Sequence, residues 1–247
     1  MSFRIIQITD CHLFADKEKV VGDGIVSFNT LSSVLDDMGR YNPDLVIVTG
    51  DLSADESYES YQHFQRLWEN THSSTALAVI PGNHDDASVM KTAFKEAFWE
   101  GDTIKAEGWL LHSLHSQIPG QGKGSVSVEQ LQRLQHKIDE NRTLNHFVAV
   151  HHHPVPMQSW MDNYDWVNRE NFVDLVERNH QIKIVVHGHI HTPRDIPFGN
   201  ARLLSIPSTC WQFKHEPEFA LDEGAPAFRV IDLHANGSFD TQIIRVN

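Results

Sequence analysis

The chain has 247 residues, 40% of them hydrophobic, which suits one large domain with a buried core. A formal net charge of −13 argues against a nucleic-acid or anionic-membrane surface, which needs clustered Lys and Arg, but a small phosphorylated substrate is allowed where bound cations reverse the local field. Cys11 and Cys210 are too few for a disulfide framework, and with no leader-like or membrane-length apolar run the reading is a cytoplasmic protein. An apolar run at 3–9 predicts a strand that stops at Asp10. A helix over 25–41 follows, closed by Asn42-Pro43. Residues 45–49, an unbroken apolar run, read as a buried strand leading straight into Gly50-Asp51. A helix over 57–68 precedes a strand at 76–80, which ends at Pro81-Gly82-Asn83-His84-Asp85. Strands at 146–150 and 182–186 run into His151-His152-His153-Pro154 and His187-Gly188-His189-Ile190-His191. Beyond these, 194–206 and 227–246 read as antiparallel strands, with Asn236-Gly237 as a hairpin turn. No repeat or linker interrupts the chain, so 1–247 is expected to be one domain.

Five apolar strands thus end abruptly in Asp, Asn or His. Strands alternating with helices indicate an α/β layered fold, and such folds bind ligands where the carboxyl ends of the strands converge. The polar ends form the set Asp10-x-His12, Gly50-Asp51, Gly82-Asn83-His84-Asp85, His152-His153-Pro154 and Gly188-His189-x-His191. Carboxylate, amide and imidazole together suit borderline cations such as Mn, Fe, Zn or Co better than metals that prefer thiolate. Flanking glycines let the backbone pass close to such a site. Each motif alone is weak; all five in this order are specific.

In that order the motifs resemble the calcineurin-like metallophosphoesterases, from Ile5 to His191. Two further stretches, Pro207-Ser208-Thr209-Cys210-Trp211-Gln212-Phe213-Lys214 and Ser116-Gln117-Ile118-Pro119-Gly120 ahead of a helix, resemble the bacterial class III cyclic 3′,5′-AMP phosphodiesterase branch. The resemblance implies a four-layer α/β/β/α sandwich and two divalent or trivalent cations, Fe and/or Mn, with Zn or Co as alternatives. Asp10, His12 and His191 would hold one metal, and Asn83, His152 and His189 the other, with Asp51 bridging. His152 is selected because the family's ligand lies two positions ahead of the proline. His12, Asp51, Asn83, His84 and His191 would also surround the substrate phosphate. The implied reaction is hydrolysis of 3′,5′-cyclic AMP to 5′-AMP, in which a water bridging two metals is acidified and attacks phosphorus in line. His84 would serve as donor or general acid, and Asp85 could orient its imidazole.

Other residues take plainer readings. His151 and His153 are expected to pack or support the ligands, His187 to be structural, and His112 and His115 to be ordinary. Gly120-Gln121-Gly122-Lys123-Gly124-Ser125 lacks phosphate-loop spacing and reads as a surface loop. Cys11 reads as a small buried thiol. Neighbouring functions remain in play: a broader phosphodiesterase acting on glycerophosphodiesters or 2′,3′-cyclic nucleotides, and a non-catalytic scaffold, though the intact ligand set speaks against the latter. Residues that choose among substrates must line the surrounding pocket, around Phe14, Trp160, Trp211 and Phe213.

Overall fold

The computed structural model describes residues 2–22 and 24–246. Its main elements in chain order are β1 (Phe3–Ile8), α1 (Ser27–Met38), β2 (Leu45–Thr49), α2 (Tyr58–His72), β3 (Ala76–Ile80), α3 (Ala87–Phe94), β4 (Ile104–Ala106), β5 (Trp109–Ser113), α4 (Val128–Glu140), β6 (Asn145–Ala149), α5 (Arg169–Arg178), β7 (Ile182–His187), β8 (Arg194–Phe198), β9 (Ala201–Ser205), β10 (Ala227–Leu233) and β11 (Phe239–Arg245). Side-chain oxygens of Ser57, Asp86 and Ser127 cap α2, α3 and α4 by accepting from first-turn N–H groups that the helix leaves unpaired. α2 runs on to His72 instead of stopping at 68, because Tyr61, Phe64, Trp68 and His72 continue one buried face at helical spacing. α1 is shorter than predicted: residues 39–41 tighten into a 3₁₀ turn, and Asn42 turns left-handed (φ 47°) ahead of Pro43.

Five strands form one sheet in the order β11-β10-β1-β2-β3, and six form a second in the order β8-β9-β7-β6-β5-β4. Strands β1, β2 and β3 run parallel, as do β5, β6, β7 and β9. Three apolar cores stack between layers. Leu31, Phe64 and Met90 from α1, α2 and α3 pack on Ile6, Val46 and Val79 of the first sheet. Leu134 and Phe172 from α4 and α5 pack on Val148 and Val185 of the second. Between the sheets, Ile5, Ile47 and Ile80 meet Trp109, Phe147 and Val186. Ile5 and Ile6 enter different cores because a pleated strand turns successive side chains to opposite faces. The architecture is therefore an α/β/β/α sandwich, and double-sided burial explains why residues 45–49 carry no polar alternation.

The two C-terminal segments part company. Residues 194–205 join the second sheet, whereas 227–245 fold back beside β1 of the first. Their hairpin closes at Asn236-Gly237, where His234 N donates to Ser238 O at 3.0 Å. No described helix is long and apolar enough to cross a membrane.

Candidate dinuclear metal centre

The parallel strands of both sheets release their chains at one rim. Asp10 lies two residues beyond β1, Asp51 two beyond β2, His151 two beyond β6 and His189 two beyond β7. Backbone bonds lace these loops together: Asp10 N donates to Gly50 O and His12 N to Asp51 O, both at 2.9 Å. Gly82 and Gly188 serve by lacking a side chain. A methyl on Gly82 would collide with the Asp51 carboxylate, and one on Gly188 with Thr9 Oγ1 and, at 2.8 Å, Asp10 Oδ2.

Asp10, His12, Asp51, His189 and His191 all hold positive φ, between 46° and 70°. For residues with a Cβ this costs about 1–3 kcal/mol each, tolerated where the surroundings over-determine the conformation. The turn sends their side chains inward, where all five are buried.

One oxygen of each carboxylate is used by the backbone. His189 N donates to Asp10 Oδ2 at 3.0 Å, and His84 N donates to Asp51 Oδ1 at 2.8 Å. The other oxygen faces imidazole nitrogens. Asp10 Oδ1 is buried without a hydrogen bond, 3.2 Å from His191 Nε2 and 3.9 Å from His12 Nε2. Asp51 Oδ2 lies 3.4 Å from His151 Nε2 and 3.8 Å from His12 Nε2. The rings are oriented from behind by carbonyls, which can only accept. His191 Nδ1 donates to Trp211 O (2.8 Å), His151 Nδ1 to Thr49 O (2.7 Å) and His189 Nε2 to Tyr164 O (3.1 Å). In the neutral rings the opposite nitrogens keep bare lone pairs. Buried oxygen and nitrogen lone pairs that converge without shared protons fit cations, and two donor groups are present. Asp10, His12 and His191 form one; the other gathers His151 with Asp51 and Asn83, whose Oδ1 is 3.1 Å from His151 Nε2, and with His189 and His152, whose rings each offer a nitrogen close to that of His151.

The electrostatics carry the same sign. Burial alone would raise the Asp51 carboxyl, yet His151 and His12 hold it well below the ordinary range. Burial lowers the His151 imidazole, but Asp51 and Asp10 outweigh it and push its pKa up to about 9. A proton on His151 is what these carboxylates attract when no cation supplies positive charge.

His152, the expected ligand, spends its ring differently. Nδ1 meets Ser116 Oγ at 2.7 Å and Nε2 donates to Gly122 O at 3.2 Å, although the ring lies near His151 and His189. Asp85 is buried, and its carboxylate accepts from Gly82 N, Ser53 N, Leu52 N and Tyr61 Oη. None of these donors belongs to His84; Asp85 staples the loop after β3 to the loop after β2. Burial, reinforced by Asp51, pushes its carboxyl up to about 7. His84 is exposed, with its ring 5.1 Å from that of His12.

A cleft of about 760 Å³ opens directly on this centre. Phe14, Trp160, Trp211 and Phe213 all line it, as the sequence reading expected. Gly120, Gln121 and Gly122 line it too, so the glycine-rich surface loop is also a wall of the site. Gly124 is part of that design, since a Cβ there would strike the His152 ring. His187 and Cys11 are buried away from solvent, and His112 pairs with His146 at 2.9 Å.

Sandwich fold and rim of carboxylate, amide and imidazole together define a metal-dependent phosphoesterase. Residues 3–193 match the calcineurin-like phosphoesterase family, and the chain belongs to it. It is 35% identical to the 3′,5′-cyclic adenosine monophosphate phosphodiesterase CpdA of Escherichia coli (strain K12), over 98% of this chain and 90% of that one. It is also 35% identical to the Pseudomonas aeruginosa protein of the same name, over 100% of this chain and 91% of the relative. A dimetal phosphatase from Danio rerio shares the fold at 13% identity, with a TM-score of 0.67 and 99% of both chains covered.

Proposed function

We propose that this protein hydrolyses 3′,5′-cyclic AMP to 5′-AMP in the cytoplasm, as one metallophosphoesterase domain spanning the chain. The observation that carries the substrate is the near full-length match to relatives bearing that activity in their names. Asp10, His12 and His191 would hold one metal ion, and Asn83, His151 and His189 the other, with Asp51 between them and Fe or Mn as the metals. Here His151 takes the role that the proline count assigns to His152. The bound cations would supply charge neutralisation at the phosphoryl group and a water acidified near neutral pH.

The chain's own residues do the rest. His84 N fixes Asp51 through Oδ1, leaving Oδ2 toward the imidazoles. The exposed His84 ring on the cleft gives a proton to the departing 3′-oxygen, whose alkoxide is a poor leaving group. Asp85 holds the loop that carries His84 and Asn83, which positions the acid without touching substrate.

The test is a panel of 3′,5′-cyclic AMP, 2′,3′-cyclic AMP, a glycerophosphodiester and a 4-nitrophenyl diester, with Mn or Fe supplied. Wild type should favour the 3′,5′-cyclic nucleotide in kcat/KM. His84→Ala should lose roughly 10²–10⁴-fold on it and far less on the nitrophenyl ester, which departs without protonation. Preference for the glycerophosphodiester would overturn the substrate; equal losses on both esters would make His84 a phosphate-positioning residue.

A further inference from the structure

Away from the metal donors, the charged side chains lining the cleft are Asp55 and Glu56, and among the described residues no Lys or Arg lines it. A substrate group reaching outward past His84 therefore meets no Lys or Arg, and a second anionic group near Asp55 and Glu56 would be repelled. What the cleft offers instead is an aromatic wall. Its inner part is already engaged: Trp211 stacks on His12 (centroids 4.8 Å, 21° between planes), and Phe213 stacks on His191 (4.3 Å, 22°). Trp160 differs. It meets Phe213, Phe219 and Tyr164 only edge-on, at 83°, 85° and 84°, with centroids 4.9, 5.0 and 6.0 Å apart. No described ring lies parallel to Trp160, although it sits in the cleft lining. Phe219, 63% exposed, continues the apolar surface outward.

The segment that carries the indole is held in advance. Both Asp162 oxygens accept from the backbone, Oδ1 from Met157 N and Oδ2 from Gln158 N, each at 2.8 Å, and Trp160 N donates to Glu216 O at 2.9 Å. His189 Nε2 donates to Tyr164 O, so the segment bearing Trp160 is tied to the donor cluster itself. A preorganised platform gives affinity without a cost of ordering on binding. We infer that Trp160 is a specificity-determining residue, which stacks on the flat, uncharged nucleobase of the substrate while the phosphate lies at the metal centre. The inference rests on the phosphodiester reading of the site and names what that site grips beyond phosphate.

The experiment compares 5′-AMP with ribose 5-phosphate, which share a phosphate and sugar and differ in the base, by calorimetric binding to metal-loaded protein. Wild type should bind 5′-AMP about tenfold more tightly or better, the size of one base–aromatic stack. Trp160→Ala should bring 5′-AMP to the level of ribose 5-phosphate and leave ribose 5-phosphate within about twofold, while Trp160→Phe should recover most of the difference. Trp160→Leu keeps apolar bulk without an aromatic face and should behave as Trp160→Ala, which covers a variant that fails to fold. Equal affinities of the two ligands for wild type would overturn the inference, as would parallel weakening of both in the variants. If wild type shows the base-dependent difference yet does not turn over cyclic AMP, the proposed substrate fails and the stacking platform stands.

Discussion

His151 and His152 are adjacent, buried and of one type, yet they face opposite demands. A carbonyl behind His151 takes one nitrogen, and its other nitrogen looks at two oxygen acceptors, Asn83 Oδ1 and Asp51 Oδ2. Ser116 and Gly122 satisfy both nitrogens of His152. We therefore expect His151→Ala to lose one of the two bound metals and nearly all turnover. His152→Ala should retain both metals and lose at most about 10–100-fold in activity, as supporting contacts do. Elemental analysis beside activity measures this, and the reverse pattern would return the ligand role to His152. At this scale the motifs named the chemistry, and two counting rules point to different rings. Counting back from Pro154 selects His152, whereas counting two residues past the strand, as at Asp10, Asp51 and His189, selects His151. The second rule needs the strand end at Ala149, one residue short of the predicted 150.

At the scale of elements, the loops after the strands carry the site, and their glycines need space more than conformational freedom. Gly188 is one such case, packed against Thr9, Asp10 and the carbonyl of Thr49. Gly188→Ala should push Asp10 away and cost roughly 1–3 kcal/mol through overpacking, with loss of metal before loss of fold. Metal titration of the variant followed by circular dichroism tests this; a fully loaded, active Gly188→Ala protein would show that the rim has slack. Apolar strands with abrupt polar ends were readable because burial on both faces leaves no alternation to confuse. The 120–124 stretch was not, because its contacts with His152 and with Asp165 are long-range and leave no periodic trace.

For the whole molecule, strand alternation announced an α/β fold, but not that residues 227–245 would return to flank β1 across the full length of the chain. Pairing of that kind is decided by which edge remains open after the other strands have packed. The two sheets contribute unequally to the centre: Asp10, His12, Asp51 and Asn83 follow strands of the first, and His151, His189 and His191 follow strands of the second. Binding should therefore stabilise the sandwich as a unit. At a free concentration one hundred times its Kd, one cation adds about 2.7 kcal/mol, which in a chain of this size raises Tm by roughly 5–10 °C. Scanning fluorimetry before and after chelation, with Mn restored, measures the shift. An unchanged Tm after complete metal loss would separate the centre from the fold.

The division of donors between sheets has a topological consequence. Asp10 and His191 are brought to 3.2 Å although almost the whole family-matched segment separates them. A cation held by both would be a removable cross-link, closing a loop of the kind disulfides close in oxidising compartments, in a chain whose two thiols are buried and unpaired.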